Sequence, residues 1–311
     1  MTTATTFDET PVFIPADGNQ IFGILTRPTT RPNGICVVLL LGGVFSLSIT
    51  RNRMSVKLAR RLAARGYHVF RMDFHGVGES TGSFEESRLA RPWTQDLMAG
   101  ITWLRGQGMN QFVLLGHCFG GRTCLAATPE IPELRALGLV VVPVMDYNHF
   151  ELAVKNRSEL PAGQFVRRAA KGTVLRGIFR RRDRRRYIHI LKAKFRKGKA
   201  GVEEMPWEQA SPHYMGFLSG VVERKVPTLL AFGTECLAKD FDRARTGKLG
   251  KLLKRGESFI ELHRFDRMAH GFPNLPTQDQ TMDLIEDWLS RVVAPAPESL
   301  AAAQRAGESG T

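Results

Sequence analysis

The chain has 311 residues with 43% hydrophobic and 24% charged side chains. That is an ordinary globular balance, large enough to bury a core without disulfide or metal staples. Fibrous, collagen-like and wholly disordered classes are excluded. The longest apolar run, Ile35 to Phe45, falls well short of the ~20 residues a spanning helix needs. Cys36, Cys118, Cys124 and Cys236 are widely spaced, so neither a disulfide framework nor a C-x-x-C zinc or redox pair is expected. The N-terminus shows no basic region followed by an apolar one. The expectation is a cytoplasmic protein, with peripheral attachment to a membrane as the alternative.

The formal net charge of +14 is concentrated in one place. Between Arg167 and Lys199 there are 15 Lys or Arg and one acid, Asp183, leaving 29 bases and 29 acids elsewhere. Within the segment Val174, Leu175, Ile178 and Phe179 recur at helical spacing, as do Ile188, Leu191 and Phe195. This predicts two basic amphipathic helices broken near 180–186. They are either a solvated face or a docking face for an acidic partner, an acyl carrier protein or an anionic membrane surface. Nucleic acid is the weakest of these readings, because no stacking ladder or recognition motif accompanies the charge.

In chain order, residues 11–27 predict two strands about the turn Ala16-Asp17-Gly18-Asn19. Ile35 to Leu41 predicts a strand buried on both faces, and Leu58, Leu62 and Ala63 a helix stopped by Gly66. Tyr67 to Met72 is a strand, 73–82 a glycine-rich loop, and Trp93, Leu97, Ile101 and Leu104 a second helix. Phe112 to Leu115 is a strand, with a helix after Gly121 and another buried strand at Leu139 to Val142. After Asp146 the strands stop until Thr228 to Phe232, followed by a strand at Phe259 to Leu262 and a helix marked by Met282, Ile285, Trp288 and Leu289. Alternation of this kind means an α/β chain with a mostly parallel sheet covered on both faces. The domain expectation is a core over 1–146 and 223–295, a basic helical cap inserted at 147–222, and a flexible tail at 296–311.

Gly116-His117-Cys118-Phe119-Gly120-Gly121 directly follows a predicted strand and directly precedes a predicted helix. A sharp strand-to-helix turn of this kind presents its middle side chain at the strand end, above a helix N-terminus that favours a thiolate. The glycines on either side keep the neighbouring backbone from clashing. Cys118 is thus the candidate nucleophile, and the competing reading is a small buried hydrophobe. Gly116 to Thr123 also reads G-x-x-x-x-G-R-T, one residue from a phosphate-binding loop, but Arg122 is a poor substitute for the lysine such loops use.

Four motifs in this order give a resemblance. Leu41-Gly42-Gly43 resembles the oxyanion loop of the α/β-hydrolase fold, and Asp73-Phe74-His75-Gly76-Val77-Gly78-Glu79-Ser80 resembles its D-x-x-G-x-G-x-S loop. The cysteine elbow and Ala269-His270-Gly271-Phe272 complete the set. The match spans roughly 10–145 and 224–293. With a cysteine nucleophile, the stretch from Val12 through Gly82 is similar to hydrolases associated with exosortase systems. The resemblance implies His270 as the base that takes the proton from Cys118, and backbone N–H groups of Phe119 and of Gly43 or Val44 as the oxyanion hole. It implies an orienting acid after the seventh strand, where Cys236 stands instead. Glu235 is the first choice, with Asp240 and Asp146 as alternatives, while His75 and His117 read as pocket or core histidines. No cofactor or metal is expected. The implied activity is acyl transfer through Cys118: an esterase or thioesterase, alternatively an acyltransferase using a carrier-protein or coenzyme A thioester. A catalytically inactive binding protein on the same fold is the reading of another class. Phe150, Phe165, Phe179, Phe195, Trp207 and Phe217 of the cap are candidates for an acyl or aryl pocket or for the cap's own core.

Overall fold

A computed structural model describes residues 6–41, 47–84, 88–146, 210–233, 236–266, 271–272 and 274–293. The basic segment 167–199, most of the expected cap and the tail at 296–311 lie outside the described residues.

The chain opens with a hairpin of β1 (Phe7–Ala16) and β2 (Asn19–Pro28), closed where Ala16 pairs with Asn19. Asp17 and Gly18 both have positive φ, 44° and 77°, the mirror-image turn whose twist matches that of paired strands. Next come β3 (Cys36–Leu40), α1 (Met54–Ala63), β4 (His68–Met72), α2 (Thr94–Gly106), β5 (Phe112–His117), α3 (Cys118–Ala127) and β6 (Leu134–Val140). After the insert the chain forms α4 (Pro212–Glu223), β7 (Thr228–Phe232), α5 (Cys236–Arg245), α6 (Lys248–Arg255), β8 (Ile260–Arg264) and α7 (Leu275–Val292).

The eight strands form one sheet in the order β1-β2-β4-β3-β5-β6-β7-β8. The β1–β2 and β2–β4 pairs are antiparallel, and every pair from β4 to β8 is parallel. Parallel strands need crossover helices, and those helices bury both faces of the sheet. The alternation is visible in β3. Cys36, Val38 and Leu40 join the core beneath α2, α3, α4 and α6, while Val37 and Leu39 join the core beneath α1 and α7. Each parallel strand therefore ends on one common edge, and among the described residues the 73–80 loop after β4, Cys118 after β5 and Asp146 after β6 lie there.

Three differences from the sequence reading have physical causes. The helix expected after Gly121 begins at Cys118, directly on the extended His117, so the strand passes into the helix with no intervening loop. Ala210 to Val222, placed by sequence in the insert, includes most of α4, whose Tyr214, Leu218, Val221 and Val222 pack into the core. Helices α5 and α6 were not anticipated: they are rich in Lys and Arg, and only a narrow stripe including Leu237, Phe241, Ala244, Leu249 and Leu252 is buried.

Candidate active site

Cys118 is the first residue of α3, and His117 before it is extended at φ −119°, ψ 138°. Cys118 itself has φ 52°, a left-handed conformation that costs an L-residue ~1–2 kcal/mol. The surrounding packing holds it there. A Cβ on Gly120 would lie 2.0 Å from the carbonyl oxygen of Leu40 in β3, and one on Gly116 would lie 2.4 Å from the Cα of Gly121. A Cβ on Gly121 would lie 2.2 Å from Cγ2 of Val142. Three glycines thus let the turn press against β3, against its own helix and against the end of β6. Cys118 is 7% exposed and opens a ten-residue helix. The first-turn N–H groups, Phe119 among them, have no carbonyl partner within the helix. Cys36 and Cys124 are fully buried, and burial pushes both thiols up, which leaves them un-ionised.

The loop after β3 leaves Leu41 buried and re-enters the described residues at Leu47; Gly43 and Val44 lie between, outside them. Its returning end is fixed by the D-x-x-G-x-G-x-S loop. Ser48 N–H donates to Oδ1 of Asp73 at 2.5 Å. Ser80 Oγ donates to the Asp73 carbonyl at 3.0 Å and accepts Phe22 N–H at 2.8 Å. Gly78, at φ 61°, is required because a Cβ would sit 2.3 Å from Asp73 Oδ2. Burial pushes the Asp73 carboxyl up despite the Ser48 N–H. Gly78 and Asp73 therefore shape the loop. His75 is pinned by Asp96, which accepts from its backbone N–H at 2.9 Å and lies 2.8 Å from Nδ1. Its ring packs on Trp93 at 4.3 Å, and Trp93 in turn packs on Phe119 at 5.0 Å.

His270 and Glu235 lie outside the described residues, but the segments on either side of each are described. Phe265, just past β8, donates its N–H to the Phe232 carbonyl at 2.9 Å, joining the ends of β7 and β8. Past His270, Phe272 adopts φ 48° and packs its ring against His117 at 4.7 Å. Gln278 Nε2 donates to the Phe272 carbonyl at 2.8 Å, and Asn274 caps α7 through Thr277 N–H at 3.0 Å. The His270 loop is thereby fastened two residues downstream of the histidine to the residue preceding Cys118. Asp240 is buried one turn into α5.

Asp146 is already engaged. Its Oδ1 accepts from Arg122 Nη2 and from Ser211 Oγ at 2.8 Å, and its Oδ2 lies 2.7 Å from His213 Nδ1. Arg122 has no exposed surface, donates to the carbonyls of Leu89 and Pro143, and lies over the rings of Tyr214 and Phe217. It cannot reach a phosphate, which disposes of the phosphate-loop reading. The sequence reading missed Ser211 and His213; the dipeptide Ser211-Pro212 was the available signal, a capping residue followed by proline at the first helical position. Among the described residues no group of three or more His, Cys, Asp or Glu could hold a metal ion, and no helix is long and apolar enough to cross a membrane.

The family profile described as serine aminopeptidase, S33, matches residues 47–179. No curated protein matches the sequence. Several solved structures are similar. The esterase Pf2001 of Pyrococcus furiosus superposes with a TM-score of 0.59 at 14% identity, covering 93% of each chain. An esterase domain from Rhodothermus marinus gives 0.55 at 17% identity, covering 92% of this chain and 100% of the other. XC6422 from Xanthomonas campestris, described as an α/β serine hydrolase without lid, gives 0.54 at 15%, covering 93% and 97%. With the strand order and elbow above, these likenesses give the chain's architecture: it has the α/β-hydrolase fold.

Proposed function

We propose that the protein is an acyl-transfer hydrolase, an esterase or thioesterase, that works through an acyl-Cys118 intermediate. The observation that carries this reading is the φ of 52° at Cys118, the strained position of the elbow at the N-terminus of α3. Backbone strain in a side chain that must be presented is a feature of reaction sites, and a structural cysteine has no need of it. The names of the similar structures, two esterases and a serine hydrolase, support an acyl substrate.

In this reading His270 takes the thiol proton and the thiolate attacks the acyl carbon. The N–H groups of Phe119 and of Gly43 or Val44 stabilise the oxyanion. The leaving group departs with the proton from His270, and a thioester to Cys118 remains. Water, deprotonated by His270, then attacks the thioester and restores the thiol. The contact of Phe272 with His117 supports His270 as the base. Glu235, on the loop joining β7 to α5, is the proposed orienting acid and Asp240 the reserve.

The segment 147–222 is proposed to set the substrate, and its basic stretch at 167–199 to receive an acidic acyl carrier protein or an anionic membrane face. This reading places the protein in the cytoplasm or at the membrane periphery. If the acyl group arrives as a thioester, the first step is nearly isoenergetic, and the identity of the acceptor separates a hydrolase from an acyltransferase.

Intact-protein mass spectrometry tests the reading. The chain is mixed with a panel of acyl thioesters and activated esters beside Cys118→Ala. An acyl adduct in the parent and none in the variant is expected. Its decay in water against added amine or alcohol distinguishes hydrolase from transferase. An adduct that persists in Cys118→Ala would overturn the assignment of the nucleophile. No adduct and no turnover would favour a binding protein.

A further inference from the structure

The insert leaves the core after Asp146 and re-enters it at Ala210, and its two ends meet on one buried cation. Ser211 N–H donates to the Val144 carbonyl at 2.9 Å, and Ser211 Oγ donates to Asp146 Oδ1 at 2.8 Å. Ser211 Oγ also accepts Tyr214 N–H at 3.1 Å and so caps α4. His213 closes on the other carboxylate oxygen at 2.7 Å. Beneath them, Arg122 bonds Asp146, the Pro143 carbonyl of the outgoing strand end and the Leu89 carbonyl of the loop before α2. The rings of Tyr214 and Phe217, on the returning helix, lie 5.3 Å and 5.7 Å from its guanidinium carbon. Arg122 stands one helical turn beyond Cys118 in the same helix.

We infer that Asp146, Ser211 and His213 form with Arg122 a clamp that fastens the two points where the chain leaves and re-enters the core to the helix carrying Cys118, and that Asp146 serves this clamp rather than orienting the catalytic base. Three considerations support this. A carboxylate that orients a catalytic histidine must offer it an oxygen, and both oxygens of Asp146 already have partners. The fixed partner is a guanidinium that burial has stripped of water. A buried arginine without its carboxylate is strongly unfavourable, so the pair cannot separate to release Asp146. The two insert ends also become mutually fixed, since one carboxylate accepts from Ser211 on the returning side while belonging to the outgoing side. The clamp thereby fixes the exit at Asp146 and the re-entry at Ala210 relative to the helix that carries Cys118, without touching the reacting atoms.

The test uses Asp146→Asn, Ser211→Ala and His213→Phe in the full chain, and has two arms. The first arm is hydrogen exchange of the backbone at 142–146 and 210–217, which does not depend on any activity. Each variant is expected to exchange at least tenfold faster there while 112–117 is unchanged. The second arm rests on the proposed acyl-transfer reading and compares a short activated ester with a long-chain acyl ester. The expected result is a kcat for the short ester within about threefold of the parent, an unshifted pH profile, and a KM for the long ester raised at constant kcat. A loss of a thousandfold or more on the short ester in Asp146→Asn, with a changed pH profile, would make Asp146 the orienting acid and overturn the inference. Unchanged exchange in Ser211→Ala and His213→Phe would overturn the clamp, and these two decide that arm if Asp146→Asn does not fold. If the parent turns over no ester, the proposed function fails, and the exchange arm still decides the clamp.

Discussion

Gly120→Ala should damage stability and site together, and its size can be worked from the contact it creates. The added Cβ would stand 2.0 Å from the Leu40 carbonyl oxygen, 2.9 Å from Leu40 Cβ and 3.0 Å from the Leu40 carbonyl carbon. A carbon–oxygen contact relaxes near ~3.3 Å, so α3 and β3 must part by ~1.3 Å. No rotamer change helps, because the obstacle is backbone in the centre of the sheet. Leu40 pairs with Gly116 across β3 and β5, and that end of the ladder would be strained or lost. Overpacking of this kind costs ~1–3 kcal/mol, and a weakened ladder bond adds ~1 kcal/mol. The better helix propensity of alanine returns ~1 kcal/mol. We predict a net loss of about 2 kcal/mol, read as a lowered urea midpoint. A shift of ~1 Å in a reacting group costs on the order of a hundredfold in rate, so acylation of Cys118 should slow by about that factor. Gly106→Ala is the control: Gly106 closes α2 with open space where the Cβ would go, and this variant should gain ~0.5 kcal/mol. Equal stability of Gly120→Ala and the parent would refute the view that close backbone packing fixes the elbow.

Other substitutions probe separate parts of the molecule. We predict that Arg122→Lys costs about 2–3 kcal/mol in urea titration, because a single ammonium cannot serve Leu89, Pro143 and Asp146 at once. Phe272→Ala should lower kcat at least tenfold while alkylation of Cys118 by iodoacetamide persists, since it loosens the His270 loop and leaves the elbow intact. His68 is held below the ordinary histidine range by burial and by Arg27. The unfolded chain therefore binds this proton first as pH falls past ~6.5, and the folded state loses stability on the acid side. His68→Gln should flatten the fall in urea midpoint between pH 7 and 5, and an unchanged slope would contradict the sign.

The sheet was legible because β3, β5 and β7 are buried on both faces and therefore read as unbroken apolar runs. Edges were less so. β6 begins at Leu134 rather than Leu139, since Arg135 interrupts the run on its exposed side. α5 and α6 went unread because a helix needs only a thin apolar stripe when one flank is solvent, and Lys and Arg fill the rest. At the elbow, the strand-to-helix turn at Cys118 and the glycines that let it pack were legible, whereas His270 and Glu235 lie outside the described residues.

What separates the legible from the illegible is how many residue types can solve the same physical problem. A Cβ at 2.0 Å from a carbonyl oxygen admits one answer, glycine, so Gly116, Gly120 and Gly121 announce their packing in the sequence. The insert's attachment admits many answers. A carboxylate, hydroxyl and imidazole could be exchanged for other hydrogen-bonding sets, and nothing in the chain pairs Asp146 with Ser211 across 65 residues. Arg122 illustrates the same limit: the sequence argues against a phosphate ligand there, but only its burial against Tyr214 shows that its charge is spent inside the fold. Backbone constraints can thus be read locally, whereas side-chain networks become visible only when the topology brings their members together.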